Sequence, residues 1–524
     1  MTSVEDVAVG GVSISAAAAV REITDGATLA ISGGGGGVLE PDALIMALAA
    51  RFEAEGSPRD LTIVHSVGVG DKALRGMSRL AKPGLVAKFI GGHMGNSPAV
   101  GKMIRDNQVE AYNLPLGVLS QLFRDTAAGR PGLLTRTGLG TFVDPRLGGG
   151  SLNSISKDSL VEVMEIDGQE YLFYRAIPID FAFVRGSRAD VLGNVVYDDE
   201  PSYLDTLEIS MAGYRGGATR PGPGRTFVQV KEVASERFHP KRVHIPGALV
   251  GAVVEYPEQW QTYVAERNDA FAGDVRIDEF PELPHGWRRI IAERAARFVQ
   301  PGDVVNLGVG VPDGVASVLQ ETGMTEQITM TNEHGVIGGV TSLGMTFGAS
   351  SNHDALLTMT NIIDLYQGGM LDVTFLGFAQ ADRHGNVNVS LYNGEVMGAG
   401  GFIDIAQNAR RVVFCGSLTA AGFKPDIGDG TLGIAREGSV DKFVRDVEQI
   451  TFSGEQAIKR GQDVHIVTER AVFQLTPQGW ALREVAPGVD VQADVLDHCP
   501  FTPVLDDVSP MAAELFTRKD SREV

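Results

Sequence analysis

Cysteine is almost absent: Cys415 and Cys499 are the whole complement, and they form no Cys-x-x-Cys pair. A disulfide framework and a zinc site are both excluded from the reading, and no other metal site is expected. Long apolar runs are missing too. Ala16-Ala-Ala-Ala-Val20 is ended by Arg21, far short of the ~18 residues of a membrane span. Met1-Thr-Ser-Val-Glu-Asp6 lacks the basic start and apolar core of a secretion signal. The expectation is a soluble, cytoplasmic protein without a membrane partner. Positive charge is scarce, with 45 Lys and Arg against 66 Asp and Glu and a net charge of −21. That argues against a nucleic-acid surface, which needs a basic stripe. A polyanionic ligand would be held by local cations, helix N-termini and backbone N–H groups. Standard catalytic signatures are lacking: no GxSxG, no HExxH and no GxxxxGK[ST] occurs.

Glycine is what the chain has in excess, 65 of 524 residues, much of it directly after apolar runs. The length predicts two domains of about 250 residues. Ala27–Ser32 reads as a strand, Gly33–Gly37 as a loop, Pro41–Phe52 as a helix with proline in its first turn, and Leu61–His65 as the next strand. The grammar recurs as strand Pro301–Leu307, turn Gly308–Pro312, helix Asp313–Glu321 and strand Gln327–Asn332. A sharper repeat is Asp180-Phe-Ala-Phe-Val-Arg…Asp190 with Gly193-Asn-Val195, matched by Asp372-Val-Thr-Phe-Leu-Gly…Asp382 with Gly385-Asn-Val387. The fold class is therefore α/β: two related open parallel-sheet domains from an internal duplication, at 1–275 and 285–524. The acidic, proline-rich Phe271–Trp287 joins them. Gly33 to Gly308 spans 275 positions and Asp180 to Asp372 spans 192, so the first half carries about 83 extra residues, expected within about 95–170. The last residues, Arg518–Val524, read as a polar, frayed tail.

Chemistry is expected where Ile328-Thr-Met-Thr-Asn332 meets Glu333-His334-Gly335, because ligands meet the carboxyl ends of parallel strands. A carboxylate there serves as general base, metal ligand, ribose clamp or nucleophile, or is a solvated strand-end acid. Gly308-Val-Gly-Val-Pro-Asp-Gly314 with Glu333 beyond it is also a loose dinucleotide pattern, although its spacing is GxGxxxG and Pro312 breaks the usual turn. Three glycine loops, Gly33–Gly37, Gly308–Gly310 and Gly398–Gly401, would converge at one ligand end and turn N–H groups toward an oxyanion or phosphate. His93, His334, His353 and His384 read as polar turn residues, and Asp190 and Asp382 as Asx turns.

Asn332-Glu-His-Gly-Val-Ile-Gly-Gly339 resembles the Glu-x-Gly-x-x-Gly-Gly signature of family I coenzyme A transferases. Gly91-Gly-His-Met-Gly95, Glu110–Pro115, Gly138–Arg146, Gly385–Ser390 and Gly398–Phe402 resemble the fused acetate/propionate type, over about residues 10–505. The resemblance implies a CoA-transferase of short-chain fatty acid metabolism that moves CoA from an acyl-CoA to a free acid by a ping-pong route. Glu333 would attack the thioester to give a mixed anhydride, and CoA thiolate would then convert it to a glutamyl-CoA thioester. Gly36 and Gly37 would supply oxyanion donors. Gly308, Val309, Gly310, Pro312, Asn386, Gly400 and Gly401 would contact CoA, and Leu116 and Asn113 would line the substrate pocket. Neither a tightly bound cofactor nor a metal is implied, and a homo-oligomer is. Leu116 stands where the family usually has glutamine, which predicts a bulkier or more apolar acyl group. Gly213–Pro221 also departs from the family's pattern. The alternatives are an acyl-CoA hydrolase on the same scaffold and a non-catalytic acyl-CoA-binding protein.

Overall fold

Strands such as Phe181-Ala-Phe-Val-Arg185, buried at every position, can only sit inside a sheet covered on both faces. The computed structural model, which describes residues 13–216, 225–280, 282–342 and 344–517, places that strand near the middle of seven. The tail Arg518–Val524 and residues 217–221 of the divergent stretch lie outside the described residues. Across the sheet the strands run Ala252–Glu255, Thr226–Val230, Phe181–Arg185, Thr28–Ile31, Leu61–His65, Val86–Gly91 and Glu110–Asn113, all parallel. The expected first helix runs Asp42–Glu55. It buries Leu44, Ile45, Leu48 and Ala49 at helical spacing and stops at Gly56, whose φ of +67° closes the C-terminus.

The second sheet has ten strands and a parallel centre: Thr329–Thr331, Val304–Leu307, Val373–Gly377, Arg411–Cys415 and Asp463–Val467. Antiparallel hairpins extend both edges, Val336–Thr341 and Ser350–Leu356 on one side, Ala471–Thr476 and Gly479–Val485 on the other. Short turns make antiparallel neighbours possible where a parallel strand would need a long crossover.

The duplication is visible in register. Ile31 lies beside Phe183, and Leu307 lies beside Phe375 at the same place in the second half. The Asx turns repeat bond for bond. Asp190 accepts from Leu192 N, Asn194 N and Asn194 Nδ2, as Asp382 accepts from His384 N, Asn386 N and Asn386 Nδ2. What the first half adds includes a three-stranded antiparallel sheet, Gly132–Thr135, Val161–Ile166 and Gln169–Arg175, largely within the stretch expected to hold its extra residues.

One apolar core runs between the halves. Leu116, Leu119 and Phe123 of the helix Leu116–Ala127 belong to the same cluster as Ile362, Ile363 and Ile405 of the second half. Polar bonds fix the register of that contact: Gln121 Nε2 donates to Asp364 (2.7 Å) and Gly117 N to Asp404 (2.8 Å). The Asp404 carboxylate sits at the first turn of the helix, where the macrodipole favours it. No helix among the described residues is long and apolar enough to cross a membrane.

Candidate active site

Glu333 stands in the turn between the strands Thr329–Thr331 and Val336–Thr341, and sequence order explains the turn. Asn332 Oδ1 accepts from His334 N (3.0 Å), and Gly335 N donates to Asn332 O (3.1 Å). Gly335 takes φ +99°, where any larger residue would be strained and would strike the Leu357 carbonyl. The carboxylate so delivered is no solvated strand-end acid, being only 7% exposed. Burial pushes its pKa above the ordinary carboxylate range, partly offset by its own backbone N–H and then by the Asn306 amide. Asn306 is itself held, accepting from Thr374 Oγ1 (3.1 Å). Glu333 Oε2 has no hydrogen-bond partner among the described residues. A buried acceptor left open beside a cavity is a feature that stability alone would not select.

That cavity, about 590 Å³, is walled by both halves. Of the expected site residues it gathers Glu333, Gly36, Gly308, Val309, Leu116, Gly400 and Gly401. Gly401 comes close enough that a methyl on it would lie 3.2 Å from Glu333 Cγ. The three glycine loops therefore do meet. Gly37, Gly310, Pro312, Asn113 and Asn386 are not in the wall. Gly37 N donates to Gly34 O (3.2 Å), and the Gly37 Cα faces Trp260 and Tyr263. Asn386 is engaged by the Asx turn and by Gly454 N, which donates to its Oδ1 (3.0 Å).

Asn113 is a clamp behind the wall. Fully buried, it donates to Gly91 O (2.7 Å) and Gly92 O (2.6 Å) and accepts from Ala399 N (2.8 Å). Gly400 N also donates to Gly92 O (2.7 Å), and Leu116 N to Gly400 O (3.0 Å). The loop that brings Gly401 against Glu333 is thus pinned by the first half. Asn113→Ala would leave the buried Ala399 N unpaired and take one of two donors from each of Gly91 O and Gly92 O, which keep Leu114 N and Gly400 N. It is expected to cost about 2 kcal/mol or more, read by urea denaturation, and to lower activity with it.

Several wall residues carried weaker signals. His93 and His334, which read as polar turn residues, both face the cavity, and burial holds each imidazole down near pKa 4 and neutral. His353 and His384 lie elsewhere. Gly68 and Gly70 follow the strand Leu61–His65 in a Val-Gly-Val-Gly run that echoes Gly308-Val-Gly-Val, and that echo could have found them. Met345 and Phe347 carry no such pattern. Asp404, fully buried behind Leu116 and Gly117, is pushed up to about 7 by burial, with the charge of Glu333 adding to the effect. Among the described residues no group of three His, Cys, Asp or Glu could hold a metal ion.

Two sheets from a duplicated unit, closing a cavity on a buried, open-sided carboxylate, define an α/β group-transfer scaffold. A family model for coenzyme A transferase matches residues 13–256 and 288–417, and the chain belongs to that family. It is 46% identical to the acetate CoA-transferase YdiF of Escherichia coli (strain K12), with 94% of this chain and 92% of that one covered. It is 41% identical to the caffeate CoA-transferase of Acetobacterium woodii, with 97% of each covered. A solved structure of acyl-CoA transferase YdiF from E. coli O157:H7, a thioester complex with CoA, matches with a TM-score of 0.91 at 44% identity, covering 96% of each chain. The chain is accordingly a CoA-transferase enzyme with CoA as a substrate.

Proposed function

We propose that the enzyme transfers CoA from an acyl-CoA to a free carboxylic acid through a covalent glutamyl-CoA thioester on Glu333. The observation that carries this is the Glu333 carboxylate itself: buried, with one oxygen unpartnered, in the wall of a cavity built by three glycine loops. In this reading a Glu333 oxygen attacks the thioester carbonyl, giving a mixed anhydride and CoA thiolate. The thiolate attacks the glutamyl carbonyl, releasing the first acid and leaving Glu333 as the CoA thioester. The acceptor acid repeats the two steps in reverse. Acyl bond energy is conserved throughout, so no ATP is consumed. A carboxylate is a weak nucleophile, and rate must come from positioning and from N–H donors around Gly36 that meet the developing oxyanion. Gly308 and Val309, both in the cavity wall, would contact CoA in this reading, and the mostly apolar wall limits water, which would hydrolyse both intermediates. The domain limits 1–275 and 285–524 belong to the same proposal, as do a cytoplasmic setting and a homo-oligomer.

The test is intact-mass spectrometry after mixing with acyl-CoA, followed by peptide mapping. An adduct of CoA mass on the peptide holding Glu333 is expected, and its loss on adding a carboxylate. Thioester loss that proceeds equally without any acceptor acid would favour a hydrolase instead, and ligand binding without adduct or turnover a non-catalytic binder.

Leu116, 2% exposed and in the cavity wall, supports an apolar acyl group. The relatives named for acetate and for caffeate take a small and an aromatic acid, so the scaffold accommodates both sizes. Leu116→Gln is expected to shift the kcat/KM ratio of acetate to 3-methylbutyrate by about tenfold toward acetate. A wild-type profile that already peaks at acetate contradicts the apolar reading.

A further inference from the structure

The two halves differ at one matched position in a way that assigns a role to a residue outside the cavity. With Ile31 beside Phe183 and Leu307 beside Phe375, the last residue of the strand Phe181–Arg185 corresponds to the last residue of Val373–Gly377. In the second half that residue is Gly377, and it lines the cavity. In the first half it is Arg185, fully buried. The place that one copy leaves open to ligand is filled in the other by a guanidinium.

All of that guanidinium's reach is directed at one loop and its supports. Nη2 and Nε meet the Glu200 carboxylate (2.7 and 3.2 Å). Nη1 donates to Gly37 O (3.3 Å) and Glu40 O (3.2 Å), and Nη2 to Gln261 O (3.2 Å). The Trp260 ring covers it, with the centroid 5.4 Å away. Tyr263 joins from the same layer, its N–H donating to Gly36 O (2.7 Å) and its hydroxyl to the Glu40 carboxylate. The loop is internally closed, Gly34 N donating to Val38 O (2.7 Å) and Gly37 N to Gly34 O (3.2 Å). Its apex, Gly35 and Gly36, faces the cavity. So the loop is a closed unit whose carbonyl side is held from behind by Arg185 and Tyr263, with Ser32 Oγ adding a bond to Leu39 O (3.1 Å).

We propose that Arg185, locked by Glu200, is a positioning residue that fixes the Gly33–Glu40 loop from behind, so that its apex N–H groups are preorganised for the oxyanion. The proposal rests on the Glu333 reading above. A planar fork of five donors can grip three carbonyls and a carboxylate at once, and the point charge of a lysine cannot. Because the donors act on charge that exists only in the transition state, loosening them lowers kcat and leaves KM.

Arg185→Lys is expected to lower kcat by about 10- to 100-fold, with the KM for acyl-CoA within about threefold of wild type. The double variant Arg185→Met/Glu200→Leu separates this from stability, since it replaces the buried pair by apolar side chains of similar size. It is expected to fold, by circular dichroism and melting, and yet to form the Glu333 adduct at least about tenfold more slowly in a single turnover. A folded double variant with kcat within about twofold of wild type overturns the proposal, as does a raised KM with kcat unchanged. Should the double variant not fold, the folded Arg185→Lys decides: a fall in kcat of about tenfold or more at constant KM supports the proposal, and an unchanged kcat overturns it. Wild-type enzyme that never forms the adduct would remove the underlying reading. An adduct formed equally fast by the folded variants would remove only this inference.

Discussion

Glu333→Ala is expected to lose at least about 10³-fold in kcat while keeping the fold, because no other carboxylate lies among the described residues of the cavity wall to form the acyl anhydride. Among the described wall residues the alternatives are two neutral histidines, Tyr392, Asn96 and Lys72, none of which is a carboxylate. Glu333→Gln keeps the shape and removes the charge, so it separates nucleophilicity from packing. Its stability has a definite sign. The Glu333 pKa is raised in the folded protein, so the neutral form is the one the fold prefers. Stability attached to that preference is present at low pH and is lost as pH rises from the ordinary carboxylate value through the raised one. Glu333→Gln should therefore melt above wild type at pH 8, with the gap closing toward pH 4. The acid limb of the wild-type kcat/KM profile should also lie above the ordinary carboxylate range, since the ionised form attacks. Substantial residual turnover in either variant, or a lower melting temperature for Glu333→Gln at pH 8, would contradict the role.

The sequence is most legible where backbone geometry and chemistry coincide. Gly335 must follow Glu333 because only glycine takes φ +99° against the Leu357 carbonyl, and such a glycine shows in the sequence. The repeated Asp…Gly-Asn spacing was readable because each Asx turn uses the same three side-chain acceptor bonds in both halves. The edges of the second sheet were less so, since Val336–Thr341 is rich in glycine and its partner Ser350–Leu356 is polar, and neither alternates cleanly. Within the site, single-residue roles depended on which way a loop turned. Gly36 and Gly37 are identical in sequence, yet one faces the cavity and the other packs on Trp260 and Tyr263. Asn113 and Leu116 sit three residues apart, yet one clamps backbone behind the wall and the other lines it. No periodicity encodes that choice, because partners more than 200 positions away make it.

Gly36→Ala should show how much of the rate depends on that choice. Gly36 has φ +71°, and a methyl there would overlap the Met345 carbonyl oxygen of the second half. The obstructing atom is backbone, so it cannot swing aside as the end of a side chain could. Either the glycine loop retreats or the Gly344–Thr346 turn does, and both line the cavity. A displacement of roughly 1 Å at groups meant to meet a developing charge is expected to lower kcat by about 10²-fold. Gly26→Ala is the matched control. Its φ is +73°, almost the same, but nothing lies within 4 Å of the added methyl. Both variants carry the same left-handed backbone cost, roughly 1–2 kcal/mol, and should lose similar stability from it. Steady-state kinetics on the two then isolates the contact with Met345. Gly26→Ala should match wild-type kcat while Gly36→Ala does not. Equal kcat in the two would mean that the close approach of the halves at this loop has no part in the chemistry.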